Sequence, residues 1–83
     1  MTDAELIDIF CDQLWLRDGL ASASLASYRR DLVAWSTWLG KTGLLAAGRA
    51  DVEGWLAAQF QGKAKASSVA RRLSAVKRFY RLQ

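Results

Sequence analysis

Residues 67–80 read SSVARRLSAVKRFY, which is the clearest helical pattern in the chain. Its apolar residues recur at intervals of three and four, which places them on one side of an α-helix. This inner stripe consists of Val69, Leu73, Val76 and Tyr80, with Phe79 at its margin. The stretch therefore predicts a helix that begins at Ser67 or Ser68, packs one face on a core and continues to the end of the chain.

The rest of the chain predicts three further helices separated by glycines, and no segment alternates apolar and polar residues as a strand does. The first begins with a capping box formed by Thr2 and Glu5 and runs to about residue 16. The second starts at Ser22 or Ser24 and ends near residue 39, and the third covers about residues 49–60. We expect an all-α fold, a compact four-helix bundle in which residues 1–83 form one domain.

Each of these helices has its own predicted inner stripe. The inward residues are Leu6, Ile9, Phe10, Leu14 and Leu16 in the first helix, Leu25, Tyr28, Leu32, Trp35 and Leu39 in the second, and Val52, Trp55 and Leu56 in the third. Trp15 and Trp38 lie off the stripes and are expected to cover helix joints or to contact a neighbouring domain. Gly54 inside the third helix costs about 1 kcal/mol relative to Ala, which makes this helix the weakest prediction.

The composition excludes several classes of protein. The chain has 83 residues, no His and a single Cys, which rules out a multi-domain enzyme, a disulfide framework, a Cys/His zinc site and a His-based triad. Cys11 lies among apolar residues and is expected to be a buried thiol in a reducing compartment. No apolar run approaches the roughly 20 residues that span a bilayer, and the acidic start is unlike a signal peptide. We expect a cytoplasmic protein without cofactor, metal or catalytic residues.

Charge is strongly polarised along the chain. Residues 1–40 hold three basic and six acidic side chains, residues 41–62 are balanced, and residues 63–83 carry seven basic side chains and no acid. Cations this dense repel one another, and a polyanionic partner relieves that repulsion.

The basic residues of the last helix are expected to form a ridge opposite its core stripe. At 100° per residue from Val69, a sector from about 80° to about 200° holds Lys77, Arg81, Ser74, Arg78 and Arg71, and Arg72 flanks it. Such a helix fits a DNA major groove, and Lys63 and Lys65 just before it suit phosphates. The second helix repeats the pattern more weakly with Ser27 and Arg30, bordered by Arg29, and its serine-rich start is a further phosphate site.

Two other interpretations of the cations stay open. Exposed Lys and Arg also keep a domain dissolved. A basic face also suits a small helical interaction module that docks an acidic protein, including a neighbouring subunit. A helix-turn-helix repressor ranks last, because no short, tightly turned helix pair is apparent.

Two motifs resemble a known family. Residues 19–32, GLASASLASYRRDL, followed by Trp38-Leu39, and residues 70–80, ARRLSAVKRFY, are similar to the N-terminal core-binding domain of Xer-type tyrosine recombinases of the phage integrase family. The resemblance implies a SAM-like four-helix domain that forms half of a clamp on the recombination-site duplex. It also implies a C-terminal catalytic domain in the same parent chain, so this chain is expected to be an excised domain that binds DNA without cutting it. Other recombinase subunits are the further partners implied.

The resemblance also implies which residues touch DNA. Transferred position by position, they are Ser24, Arg29 and Arg30 of the second helix and Arg71, Ser74 and Lys77 of the fourth. The helical wheel adds Arg72, Arg78 and Arg81. The sequence departs from the family pattern at Ala21 and Gly48, where a Ser or Thr cap is usual, at Ser24, where Thr is usual, and at Lys77, where Arg is commoner.

Overall fold

A computed structural model describes residues 1–83 and confirms the all-α prediction. The four helices are α1 (Asp3–Gln13), α2 (Ser22–Leu39), α3 (Arg49–Gln61) and α4 (Ala66–Arg81). A π-helical turn, Leu14–Asp18, continues α1, and a 3-10 turn, Gly40–Thr42, follows α2. No strand is present.

The helix starts combine expected and unexpected caps. In the predicted capping box the Thr2 hydroxyl accepts from the Glu5 amide at 3.2 Å, and the Glu5 carboxylate accepts from the Thr2 amide at 3.2 Å. Helix α3, which has a glycine at its cap, is fixed by the Asp51 carboxylate, which accepts from the Gly48 amide at 2.8 Å. Helices α2 and α4 begin without a side-chain cap, so packing must hold their first turns in place.

The core lies where α1, α2 and α4 meet, with α3 covering one side. Phe10, Trp35 and Phe79 are fully buried at its centre. The prediction that put Phe79 at the margin is therefore wrong. Phe79 packs edge-on against Phe10, with ring centroids 5.4 Å apart, and so joins the first helix to the last.

The predicted inner stripe of α1 is wrong at two positions. Ile9 and Leu16 are exposed, whereas Ile7 is buried. The stripe follows the three-and-four spacing through Ile7, Phe10 and Leu14, and the wider π turn then changes the direction in which later side chains point. Leu16 lies inside that turn and projects into solvent.

A polar network inside the core joins α2, α4 and the loop before α3. The Tyr80 hydroxyl donates to the Leu44 carbonyl at 2.6 Å and accepts from the Trp35 indole N–H at 3.2 Å. Burial raises the pKa of the Tyr80 phenol. Burial also raises the pKa of Cys11, which is a buried thiol as predicted.

Gly54 lies in α3 because the helix passes close to an indole of α2. A Cβ at this position would lie 3.1 Å from Cη2 of Trp38. The Trp38 ring in turn stacks on Trp35, with planes inclined by 8° and centroids 6.0 Å apart. Trp38 thus covers the joint between α2 and α3, whereas Trp15 is largely exposed.

None of the four helices combines the length and apolar character needed to cross a membrane.

Candidate nucleic-acid interface

A polar groove of about 200 Å³ runs between α2 and α4. It is lined by Ser24, Ser27, Tyr28 and Asp31 of α2 and by Arg71, Ser74 and Ala75 of α4. Three of the residues predicted from sequence, Ser24, Arg71 and Ser74, are exposed along it. The packing of α2 on α4 therefore gathers hydroxyl and guanidinium donors from two separate motifs into one concave surface. We call this surface the α2–α4 groove.

Arg71 is held in the α2–α4 groove by a buried carboxylate. Its Nε donates to Oδ2 of Asp31 at 3.1 Å and its Nη2 to Oδ1 at 3.0 Å. Asp31 is only 3% exposed, whereas the Arg71 side chain is half exposed. The hydrogen bond to Asp31 raises the pKa of Arg71 further, so the guanidinium stays charged.

Arg78 lies at one end of the same surface. Its guanidinium donates to the Tyr28 hydroxyl at 3.0 Å, pairs with Asp18 and sits 5.5 Å from the centroid of the Tyr28 ring. The hydrogen bond to Tyr28 raises the pKa of Arg78. Residues 63–83 contain no acid, but Arg71 and Arg78 are paired with acids from other parts of the chain, Asp31 and Asp18. A count by segment misses carboxylates that other helices bring into contact.

The two predicted arginines of α2 differ in their surroundings. Arg29 turns toward α1 and pairs with Asp8, and this hydrogen bond raises the pKa of Arg29. Arg30 is exposed and makes no hydrogen bond or ion pair within the chain. Arg30 is therefore the more available cation for a ligand.

The other predicted cations lie on three different parts of the surface. Arg72 is half-buried and donates to the Gln59 side chain of α3 at 2.8 Å. Lys63 and Lys65 are exposed in the connection before α4, where Lys63 adopts a positive φ of 63°. Lys77 and Arg81 flank a second groove, between α3 and α4. The ridge predicted along α4 is thus divided between two grooves.

The groove between α3 and α4 has about 560 Å³ and a different character. Apolar side chains form its floor, and Arg49, Lys77 and Arg81 surround it. The floor consists of Val52, Leu56, Leu73, Val76 and Tyr80. Its one acid, Glu53, pairs with Arg49 at 3.2 Å. We call this surface the α3–α4 groove.

The chain holds no group of three or more His, Cys, Asp or Glu side chains placed to bind a metal ion. The residue that the sequence prediction missed at the site is Asp31. It directly follows Arg29 and Arg30 in the motif of α2, where its apparent effect was only to reduce the local positive charge. No local pattern signals that its partner lies forty residues away.

The fold and this surface define the class: a small helical domain with a cationic, hydroxyl-lined groove between its second and last helices. The family model described as phage integrase, N-terminal SAM-like domain matches residues 7–82. The chain belongs to this family, as the sequence motifs predicted.

Similar proteins agree with this assignment. The chain is 45% identical over 80 residues to tyrosine recombinase XerD of Yersinia pestis, covering 94% of this chain and 27% of that protein. It is 35% identical over 82 residues to the XerD of Haemophilus influenzae, covering 96% and 28%. It is 42% identical over 78 residues to the XerD of Pseudomonas aeruginosa, covering 92% and 26%. The chain thus spans about a quarter of the length of these relatives. No solved structure matches it.

Proposed function

We propose that this domain binds double-stranded DNA as the non-catalytic, N-terminal part of a site-specific tyrosine recombinase. The observation that carries the proposal is the α2–α4 groove, in which Ser24, Arg71 and Ser74 converge from the two family motifs. Hydroxyl and guanidinium donors on adjacent helices are the groups that hold phosphate oxygens and base edges. The polarity of the groove therefore suits a duplex that lies along α2 and α4.

The surroundings of the α2–α4 groove extend this proposed contact. Arg30 is an unpaired cation on α2, and Lys63 and Lys65 precede α4. All three are free to neutralise phosphates without first breaking an ion pair. Arg72 donates to a neutral glutamine and adds to the positive potential around the groove, whereas the charges of Arg29 and Arg78 are offset by Asp8 and Asp18.

We propose the following context for this domain: a parent chain whose catalytic domain follows this one, other recombinase subunits on the same DNA, and a place in the cytoplasm. The relatives bear the name tyrosine recombinase and are more than three times as long as this chain. Strand cleavage is assigned to the remainder of the parent protein. The role of this domain is to hold the duplex.

Titration of a labelled, mixed-sequence DNA duplex at several salt concentrations tests this function. Each neutralised phosphate adds about 0.9 to the slope of log K against log salt, so the three unpaired cations Arg30, Lys63 and Lys65 give a slope of about 3. Replacing Arg30 by Ala should lower that slope by about 1. Arg17→Ala is the matched control, because Arg17 is an exposed arginine that makes no ion pair and lines neither groove. Absence of binding at low salt, or binding that salt does not weaken, rejects the proposal.

A second candidate function rests on the α3–α4 groove. Its apolar floor, flanked by Lys77 and Arg81, is complementary to a protein segment with apolar and acidic side chains. A phosphate backbone offers no apolar groups to fill such a floor. Substituting Lys77 and Arg81 together by Ala distinguishes the two functions. A loss of DNA affinity with a fall of about 2 in the salt slope assigns both cations to the duplex, whereas unchanged DNA affinity leaves them for a protein partner.

A further inference from the structure

Asp31 is the one charged residue among the buried residues of the chain, and it lies in the groove proposed to receive a polyanion. A carboxylate at a DNA-binding surface repels phosphate, so its presence there calls for an explanation. Both of its oxygens accept hydrogen bonds from Arg71. The other ion pairs of the chain join side chains that are at least one-third exposed. The Asp31–Arg71 pair is therefore the only one with a buried anchor.

The geometry leaves part of the guanidinium free. Arg carries five N–H donors, and Asp31 uses one on Nε and one on Nη2. The three remaining donors, two on Nη1 and one on Nη2, belong to a side chain that is 48% exposed. A guanidinium anchored by one edge presents its other donors in a fixed plane, as two-pronged recognition of a phosphate or a guanine requires.

We propose that Asp31 is a positioning residue of the α2–α4 groove: it holds Arg71 in the conformation that contacts DNA. This inference rests on the proposed DNA-binding function. It gives Asp31 a role in DNA binding even though its negative charge repels phosphate. A free arginine must be immobilised when it binds, and that ordering lowers affinity. Because Asp31 orders Arg71 before DNA arrives, most of that loss occurs during folding.

The proposal predicts an effect of opposite sign to simple electrostatics. Asp31→Asn removes a negative charge from the groove, which by charge alone tightens DNA binding. The Asn amide oxygen still accepts one hydrogen bond, but its NH2 group faces an arginine donor, so the two-pronged contact is lost. We expect Asp31→Asn to weaken binding of a mixed-sequence duplex by about three- to tenfold at low salt.

Asp12→Asn provides the matched control. It removes one negative charge by the same substitution from an exposed carboxylate of α1 that pairs with no arginine and lines neither groove. We expect this variant to bind the duplex as tightly as the original chain, or slightly more tightly. Arg71→Lys disrupts the same contact from the arginine side and leaves Asp31 unchanged. It keeps the positive charge but cannot form the fork, and we expect it to weaken binding as Asp31→Asn does.

A double-mutant cycle separates positioning from a general structural role. The second background of this cycle is Arg71→Gln. The Gln amide group still donates a hydrogen bond to Asp31, so the buried carboxylate keeps a partner. In that background Asp31→Asn should no longer weaken DNA binding, since there is no guanidinium to position. The Arg71 Nε–H resonance, observed by NMR without DNA, should exchange slowly in the original chain and rapidly in Asp31→Asn.

The outcomes are distinguishable. If the original chain shows no salt-dependent binding of the duplex, the proposed function fails and this inference fails with it. If the original chain binds and Asp31→Asn binds as tightly or more tightly, only the positioning role is overturned. An equal loss from Asp31→Asn in both backgrounds also overturns it, because the effect then does not pass through Arg71.

Discussion

Two tyrosine-to-phenylalanine substitutions should differ sharply in their effect on stability. The Tyr80 hydroxyl bridges the Trp35 indole N–H and the Leu44 carbonyl, and both of those residues are fully buried. Tyr80→Phe removes the bridge and leaves two buried polar groups without a partner. Each such group costs about 1–3 kcal/mol, so we expect the free energy of unfolding to fall by about 2–6 kcal/mol.

Tyr28→Phe is the matched control for this prediction. The Tyr28 hydroxyl accepts from Arg78, whose guanidinium also pairs with Asp18 and is partly exposed to solvent. Loss of this hydroxyl leaves no buried group unpaired, so the cost should not exceed about 1 kcal/mol.

Equilibrium unfolding in urea, followed by tryptophan fluorescence, measures both variants against the original chain. The comparison requires that the slope of free energy against denaturant is unchanged. If Tyr80→Phe costs no more than Tyr28→Phe, the polar network does not contribute to the core as described. A change in slope for either variant would instead place the effect in the unfolded chain.

Two further predictions follow from the packing. Burial raises the pKa of Tyr80, so the folded chain holds that proton more tightly than the unfolded chain. The contribution of Tyr80 to stability should be constant below the ordinary tyrosine pKa of about 10 and be lost above it. Burial also raises the pKa of Cys11, so stability begins to fall above the ordinary thiol pKa of about 8.5, and a urea series should show a smaller fall above pH 10 for Tyr80→Phe than for the original chain. Gly54→Leu should displace Trp38 from its stack on Trp35 and lower the free energy of unfolding by about 1–3 kcal/mol. Tryptophan fluorescence should change at the same time. Unchanged fluorescence and stability would refute the close approach of α3 to Trp38.

The sequence was sufficient for the helices, because each carries apolar residues at the spacing of one helical face. The stripe of α2, from Leu25 to Leu39, is buried or half-buried as predicted. The errors in the predicted core occur where the backbone departs from a regular α-helix or where a buried residue lies outside a helix. The π turn after α1 exposes Leu16, and the long stretch before α3 buries Leu44, which no periodic pattern marks.

The candidate site was less accessible to sequence reasoning. The helical wheel correctly placed Ser74 and Arg71 on the exposed side of α4, and the family motif supplied Ser24. The helical wheel did not separate Lys77 and Arg81 from Ser74 and Arg71. The direction of a side chain on one helix does not reveal which neighbouring helix completes a groove. The Asp31–Arg71 pair spans forty residues, and only the packing of α2 on α4 brings the two groups together.

Chemical-shift mapping locates the DNA contact on the domain. The backbone amide spectrum of the labelled chain is recorded as a mixed-sequence DNA duplex is added at low salt. We predict that the largest shift changes lie along the α2–α4 groove, at Ser24, Ser27, Arg71 and Ser74, and that they reverse when salt is raised. Changes confined to the α3–α4 groove or to α1 would contradict the claim that this domain holds DNA between α2 and α4.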